Sequence, residues 1–455
     1  MYRRKLLHAA GVSMGTMLAG CSSDSDGDSD NTVTETPAAT PKQVLTDVDT
    51  VRIGFLARMG SPKGAAMQNG AQLAAQHLNE NAAGLNAEVK IQSGDIGDAE
   101  KKASLEHQRL VTQEDCDLTI GDLGSGFKTR RAMGSIANSE TLHITTAPIF
   151  YPAGKLVSRT TDLTGDGGES EYEQHKYHFR AGPLNRVWQA RALAEFVETA
   201  APDSGWERVA VLTETISELD PYHEQLLSQI ESMVDIRITE RVVGGADWSP
   251  FYNSIESEDC DLALVGLSLL ATSAVNQWAE EDRQFELGGL LPGAKRPDFW
   301  GETDGNAEYV FTTNAMTPRT GNTEQTQPFV DRYVDSFDAR PHSSAAITYD
   351  GVLLAVAAIR MAAAEEGRTT IPDSETLVST LAELSFTEGT IAPTLQFTPP
   401  DATYAHEPQW TSMAESGFPV IQQWQSAEDG GGAMHAVAPD DSATAAYALP
   451  EWLEE

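Results

Sequence analysis

Glu114-Asp115-Cys116-Asp117-Leu118-Thr119-Ile120-Gly121 and Glu258-Asp259-Cys260-Asp261-Leu262-Ala263-Leu264-Val265-Gly266 are the two stretches that decide the fold. Both open with EDCDL and run through a short apolar segment to a glycine. Both also close the same series of elements. Before the first lie a β-branched run, Thr50–Leu56, an amphipathic pattern from about Ala65 to Asn79, a second strand, Glu88–Ser93, and a helical pattern from about Ala99 to Thr112. Before the second lie Arg208–Thr213, a helix from about Pro221 to Val234, Ile236–Val242, and a helix over about Trp248–Glu256. Strands that alternate with helices at these lengths predict parallel sheets with right-handed crossovers. The fold class is therefore α/β, with two Rossmann-like lobes. Ligands of such sheets sit beyond the carboxyl ends of the strands, which directs attention to the residues after Leu56, Gly121, Ile144, Thr213 and Gly266. Cys116 and Cys260 enter equivalent strands of different lobes. A disulfide needs Cα atoms within about 7 Å, so two buried thiols are expected instead.

The first residues have a role before folding. Arg3 and Arg4 form a twin-arginine pair, and an uncharged stretch runs from about Ala9 to Gly20. A positive start, a short apolar run and small residues at its end make a signal peptide, of the kind exported by the twin-arginine route. The stretch is shorter than the roughly 20 apolar residues a spanning helix needs. Leu18-Ala19-Gly20-Cys21 resembles a lipoprotein lipobox, which implies that Cys21 carries a lipid. Residues 22–49 are rich in Ser, Asp, Thr and Pro and are expected to be a disordered acidic tether, since they bury too little to offset their ordering entropy. The chain is thus expected outside the cell, held to the outer face of the membrane by that lipid alone.

With 31 Lys and Arg against 68 Asp and Glu, the formal charge is −37. This excludes nucleic acid as a partner, because phosphate binding needs basic patches. The acids are spread along the chain, as on the solvated surface of a halophilic protein. No cofactor or metal is expected. His175 and His178 make an isolated His-x-x-His without further ligands, and the cysteines lack zinc spacing. Gly124-Ser125-Gly126 does not fit the G-x-S-x-G of a nucleophile elbow, and Gly266-Leu267-Ser268 lacks the closing glycine. No catalytic group is assigned.

Several short motifs carry a resemblance from residue 51 to about 424. They are Ile53–Leu56 with Gly64 and Asn69-Gly70-Ala71; Ile120–Gly126; His178-Phe179-Arg180 before Gly182-Pro183; Tyr222 with Glu224 and Leu226; Ile347–Val352; and Leu395–Thr398. Together they resemble the type I periplasmic solute-binding proteins of ABC importers, in the branched-chain amino-acid (leucine/isoleucine/valine-binding) family. The resemblance implies two lobes joined by three crossovers, placed near 180–184, 312–316 and 392–396. Lobe 1 is then 50–182 and 314–393, and lobe 2 is 183–313 and 394–424. Residues 425–455 form an acidic C-terminal extension, expected to be loosely ordered. Residues 151–177 are expected to be an exposed insertion near the cleft rim.

The resemblance also implies a site. Gly124 and Ser125 would bring backbone N–H groups and a hydroxyl to a ligand carboxylate, joined by Thr145, Thr146 and Ala147. Tyr222 would stack on the ligand from lobe 2. Two departures bear on the ligand. Lys63 stands before Gly64, where the family often has an aromatic residue. Gly288–Gly293 offers no acid of the kind that holds an α-amino group. A small polar or carboxylated solute follows, a branched-chain amino acid or a related compound, captured by clamp closure. A monomer serving ABC permease subunits is expected; the alternatives are a ligand-sensing subunit for a receptor and, behind it, a secreted hydrolase.

Overall fold

The two EDCDL segments play the same structural part. Asp115 and Asp259 both adopt a left-handed backbone with φ of 50°. Aspartate tolerates this geometry better than most residues, so each turns the chain sharply at a helix end. The next residue donates its N–H back to the helix just left, Cys116 to Leu110 at 3.0 Å and Cys260 to Ile255 at 3.1 Å. The following aspartate locks onto the first strand of its own lobe. The Asp117 N–H donates to the Arg52 carbonyl at 2.9 Å, and its carboxylate accepts from the Arg52 N–H at 2.7 Å. Asp261 repeats this with Arg208, at 2.8 Å in both directions. The cysteines between are buried free thiols. Burial pushes Cys116 up to about 12 and Cys260 up to about 11.

The computed structural model describes residues 44–81, 85–124, 127–147, 157–159, 170–245, 247–428 and 430–453. Lobe 1 begins β1 (Thr50–Ala57), α1 (Pro62–Asn81), β2 (Glu88–Asp95), α2 (Lys102–Thr112), β3 (Leu118–Gly121), α3 (Phe127–Ser139), β4 (His143–Thr145) and β5 (His178–Arg180). Its sheet is parallel, in the order β2-β1-β3-β4-β5. Lobe 2 follows with α4 (Arg186–Ser204), β6 (Arg208–Glu214), α5 (Asp220–Ile230), β7 (Asp235–Val242), α6 (Ser249–Ser257), β8 (Leu262–Gly266), α7 (Ala271–Glu280), β9 (Glu286–Leu290) and β10 (Phe311–Asn314). The chain then returns to lobe 1 for α8 (Thr326–Phe337), α9 (Ser343–Glu366) and α10 (Ser374–Glu383). It ends in lobe 2 with β11 (Val420–Ser426) and β12 (Gly432–Ala438), which complete the order β12-β11-β10-β9-β8-β6-β7. The two α/β lobes read from the sequence are present.

Helix α9 is the core helix of lobe 1. It is long and apolar enough to cross a membrane, yet 89% of its apolar window is buried inside the protein. It packs on α1, and Gly70 permits the approach: a Cβ there would lie 2.2 Å from the Ala345 carbonyl oxygen. Asp350 pins the helix from its other side by accepting from the N–H and hydroxyl of Thr390 and the N–H of Ile391. Burial pushes that carboxyl up to about 7.

Three features differ from the sequence expectation. The third passage between lobes lies later than 392–396. Leu395 still bridges to Phe386 beside lobe 1, and the His406 carbonyl still accepts from the Arg180 N–H. The chain therefore leaves lobe 1 after Glu407 and reaches the lobe 2 sheet at Val420. Arg180 holds this junction. Its guanidinium grips both Glu407 oxygens at 2.7 and 2.6 Å and donates to the Pro183 carbonyl at 2.6 Å. Second, the C-terminal extension is not loose. β12 pairs antiparallel with β11, Tyr447 donates to Glu286, and Trp452 packs edge-on against Trp278. Third, the end of the expected tether is folded: Val44 and Leu45 are buried, and Val44 bridges to Leu85. The rest of the tether and the leader lie outside the described residues. So does most of 151–177, although Val157 and Tyr172 are buried and the Arg159 N–H donates to the Pro400 carbonyl.

Lobe 1 also buries a row of histidines. His143 stacks on His178 with ring centroids 5.9 Å apart and meets His107 edge-on at 6.4 Å. The Thr119 hydroxyl contacts His143 Nδ1 at 2.8 Å, and Nε2 has no partner among the described residues. Burial pushes His107 and His406 down to about 4 and His178 to about 3, and it holds His143 well below the usual imidazole range. Unfolded histidines take up protons below their ordinary 6.5, while these do not until far lower. Their contribution to stability is present above that pH and is lost as pH falls through it. His143→Asn is expected to flatten the acid loss of unfolding free energy by about 1.4 kcal/mol per pH unit between pH 6 and 5, relative to the parent. Urea titrations at the two pH values measure this difference.

Candidate functional site

The carboxyl ends of both sheets face one cleft of about 740 Å³. From lobe 1 come Lys63 in the first turn of α1, Asp122 and Gly124 after β3, and Lys128 at the start of α3. The start of α9 adds His342, Ser343 and Ser344. From lobe 2 come Arg186 opening α4, Ser268 and Leu269 after β8, and Lys295 and Arg296 in the turn after β9. The wall is positive. Six basic side chains (Arg58, Lys63, Lys128, Arg186, Lys295, Arg296) face three acids (Asp122, Glu218, Glu302), twice as many bases as acids on a chain of formal net charge −37.

Some of these cations are already paired. The Lys63 ammonium lies 2.8 Å from Asp122, whose other oxygen accepts from the Gly124 N–H at 2.7 Å. That carboxylate shapes the loop leading to residue 125. Arg296 pairs with Glu302, and Arg58 pairs with Asp98 at 2.9 Å. Three others have no carboxylate partner among the described residues. Lys128 donates to the Gly97 carbonyl at 3.1 Å, Arg186 donates to Gln189 Oε1 at 3.1 Å, and the Lys295 ammonium has no hydrogen-bond acceptor among the described residues. Burial and the neighbouring Arg186 push Lys295 down to about 7. Arg186 itself is pushed to about 10 by burial and by Arg180.

His342 links the two walls. Its Nδ1 accepts from the Ser344 N–H at 2.9 Å and caps the 24-residue α9. Burial, Lys63, Lys295 and Arg296 push it down to about 3, so the ring is neutral. With Nδ1 accepting, the ring proton sits on Nε2 and is free to donate. A helix start with a neutral donor and flanking cations is a place for an anionic oxygen.

The residues expected at the site divide. Lys63 and Gly124 line the cleft. Ser125 lies outside the described residues. Thr145, Thr146 and Ala147 are fully buried in lobe 1 and are not on the cleft wall. The Thr145 hydroxyl meets His178 Nε2 at 2.9 Å, and Thr146 meets the Thr348 hydroxyl at 2.9 Å. Tyr222 is also off the wall. It has no exposed surface, its hydroxyl donates to the Val265 carbonyl at 3.2 Å, and its ring lies under Gly266, where a Cβ would come within 2.8 Å. Lys128, Arg186, Lys295 and the α9 start were not anticipated. One signal was available: Ala294-Lys295-Arg296 follows directly on the glycine-rich strand end at 288–293, and His342-Ser343-Ser344 precedes a long apolar helix.

A family model for periplasmic binding proteins matches residues 50–415. The chain belongs to the periplasmic binding protein family. No curated protein matches it. Among solved structures, LivJ of Streptococcus pneumoniae, a branched-chain amino acid transporter substrate-binding protein in complex with isoleucine, is 19% identical, with a TM-score of 0.61, covering 86% of this chain and 100% of its own. A putative branched-chain amino acid ABC transporter from Silicibacter pomeroyi is 16% identical, with a TM-score of 0.68, covering 89% of this chain and 100% of its own. A solute-binding protein of an ABC transporter from R. palustris, in complex with benzoate, is 14% identical, with a TM-score of 0.60, covering 87% of this chain and 98% of its own. At these identities the likeness establishes the fold. This periplasmic binding protein carries β11 and β12 beyond the span of the family match.

Tyr222→Phe separates a core role from a ligand contact. Loss of the hydroxyl is expected to cost about 1 kcal/mol of stability, read by urea denaturation, and to leave ligand affinity unchanged by calorimetry.

Proposed function

We propose that this periplasmic binding protein captures a small carboxylated solute outside the cell and passes it to the permease of an ABC importer. The observation that carries this reading is the positive cleft on an otherwise strongly acidic chain. Surface acids keep such a protein soluble, while a basic cleft concentrates anions and steers them inward. Isoleucine and benzoate, bound by the two structural relatives, share one group, a carboxylate. The cleft is poorly equipped for an ammonium group. Asp122 is committed to Lys63 and Glu302 to Arg296, which leaves Glu218 as its one acid without a basic partner among the described residues.

The ligand carboxylate would meet the lobe 1 wall first, at Gly124, Ser125 and the start of α9. Lobe 2 would then close over it, bringing Lys295 and Arg186 to the same molecule. Hinge closure of this kind excludes water and presents a new surface to the permease. No covalent step is involved, and the established family is one of solute binders. Native purification followed by mass spectrometry of the released small molecule tests the reading. An organic acid is expected, with a smaller radius of gyration by X-ray scattering when it is added back. Release of a cation or neutral sugar would overturn it.

A lipid on Cys21, with residues 22–43 as a spacer, would keep the clamp near its permease after twin-arginine export. A single acyl chain binds a bilayer only marginally, so two or more are required for a stable hold. Cys21→Ser is expected to move the protein from the membrane fraction to the medium, as followed by immunoblot.

A further inference from the structure

We propose that the ligand is an organic acid with two separated acidic groups, one held by Lys128 and the start of α9 in lobe 1, the other by Lys295 and Arg186 in lobe 2. This rests on the carboxylate-capture reading above and specifies its substrate. The protein leaves charge at the cleft unbalanced. The chain has more than twice as many acids as bases, yet only three of the six cleft cations form an ion pair with a carboxylate among the described residues. Lys128, Arg186 and Lys295 form no ion pair among the described residues, although Glu218 lies near enough to act on Arg186, and they stand on both walls. Cations from both lobes, Lys63 on one side and Lys295 and Arg296 on the other, lie close enough to act on His342 at the start of α9. Closing the clamp draws these like charges together.

A ligand can shift the clamp only by as much as it prefers the closed form. A single carboxylate balances one wall and leaves the other cationic. Two carboxylates on one skeleton balance both, and they do so only when the lobes meet. The second acid therefore acts mainly in the closed state, which is where a ligand must act to drive closure. The exposed Leu269 on the lobe 2 wall offers apolar contact for the carbons between the acids.

Calorimetry at neutral pH and fixed ionic strength tests this with succinate, glutarate and adipate against butyrate, valerate and hexanoate, alongside leucine and glycerol phosphate. The best diacid is expected to bind at least about tenfold more tightly than the monoacid of its own chain length. Lys295→Gln and Arg186→Gln, each checked for folding by circular dichroism, are expected to weaken diacid binding far more than monoacid binding and so to remove most of that ratio. Equal affinity for diacid and monoacid overturns the proposal. So does a ratio unchanged in a folded variant, or glycerol phosphate as the tightest ligand. If leucine or a monoacid binds best and shrinks the scattering radius, this inference falls while the capture of a carboxylated solute stands. If no acid binds, both fall.

Discussion

One buried guanidinium holds together two of the passages between the lobes. Arg180 ends the last strand of lobe 1, and its fork grips Glu407 just before the chain leaves that lobe for the last time. A third bond reaches Pro183 in the first crossover. Both members of the pair are almost fully buried, with side-chain exposures of 2% and 4%. Such a pair gains little net stability, because desolvating two charges offsets most of their attraction. Its value is geometric. A planar fork met by two carboxylate oxygens fixes direction as well as distance. Strand β5, the first crossover and the third passage are thereby held at one point.

Charge is divided between surface and cleft. The acids that make the chain so negative are mostly solvated, whereas the cleft keeps cations that the protein does not itself neutralise. Holding an unpaired ammonium in a partly desolvated turn is costly, and the lowered proton affinity of Lys295 records that cost. Groups left in such a state are typical of binding sites, because the ligand supplies what the protein lacks. The neutral His342 belongs to the same arrangement, since the nearby cations suppress its protonation and leave it a donor.

Much of the fold was legible because it is repeated. EDCDL occurs twice, and within it the second, third and fourth residues have local roles, which are a left-handed turn, a buried thiol and a carboxylate cap on a strand start. Local roles leave local signatures. The site was less legible because cleft walls are assembled from strand ends far apart in sequence. Thr145 and Thr146 follow the right strand, but their hydroxyls turn inward to His178 and Thr348. Tyr222 opens the right helix, but Gly266 leaves a hollow that its ring fills. Lys295 had no motif to mark it, only its position after a strand that ends at the cleft. The C-terminal strand was missed because its small, glycine-rich sequence resembles a linker, and only pairing with β11 gives it form.

That last strand has a consequence in time. Glu286, at the start of β9, is held by Trp206 and by Tyr447, 161 residues further along the chain. β12 forms the edge of the same sheet, and Trp452 covers Trp278. Domains usually fold as they emerge during synthesis, N-terminal first. Lobe 2 cannot complete its sheet in that order, because the edge strand β12 and Tyr447 come far downstream of its parallel strands. A nascent chain therefore carries this lobe unfinished until that downstream segment has emerged, with the edge of its sheet and one side of Glu286 waiting on it.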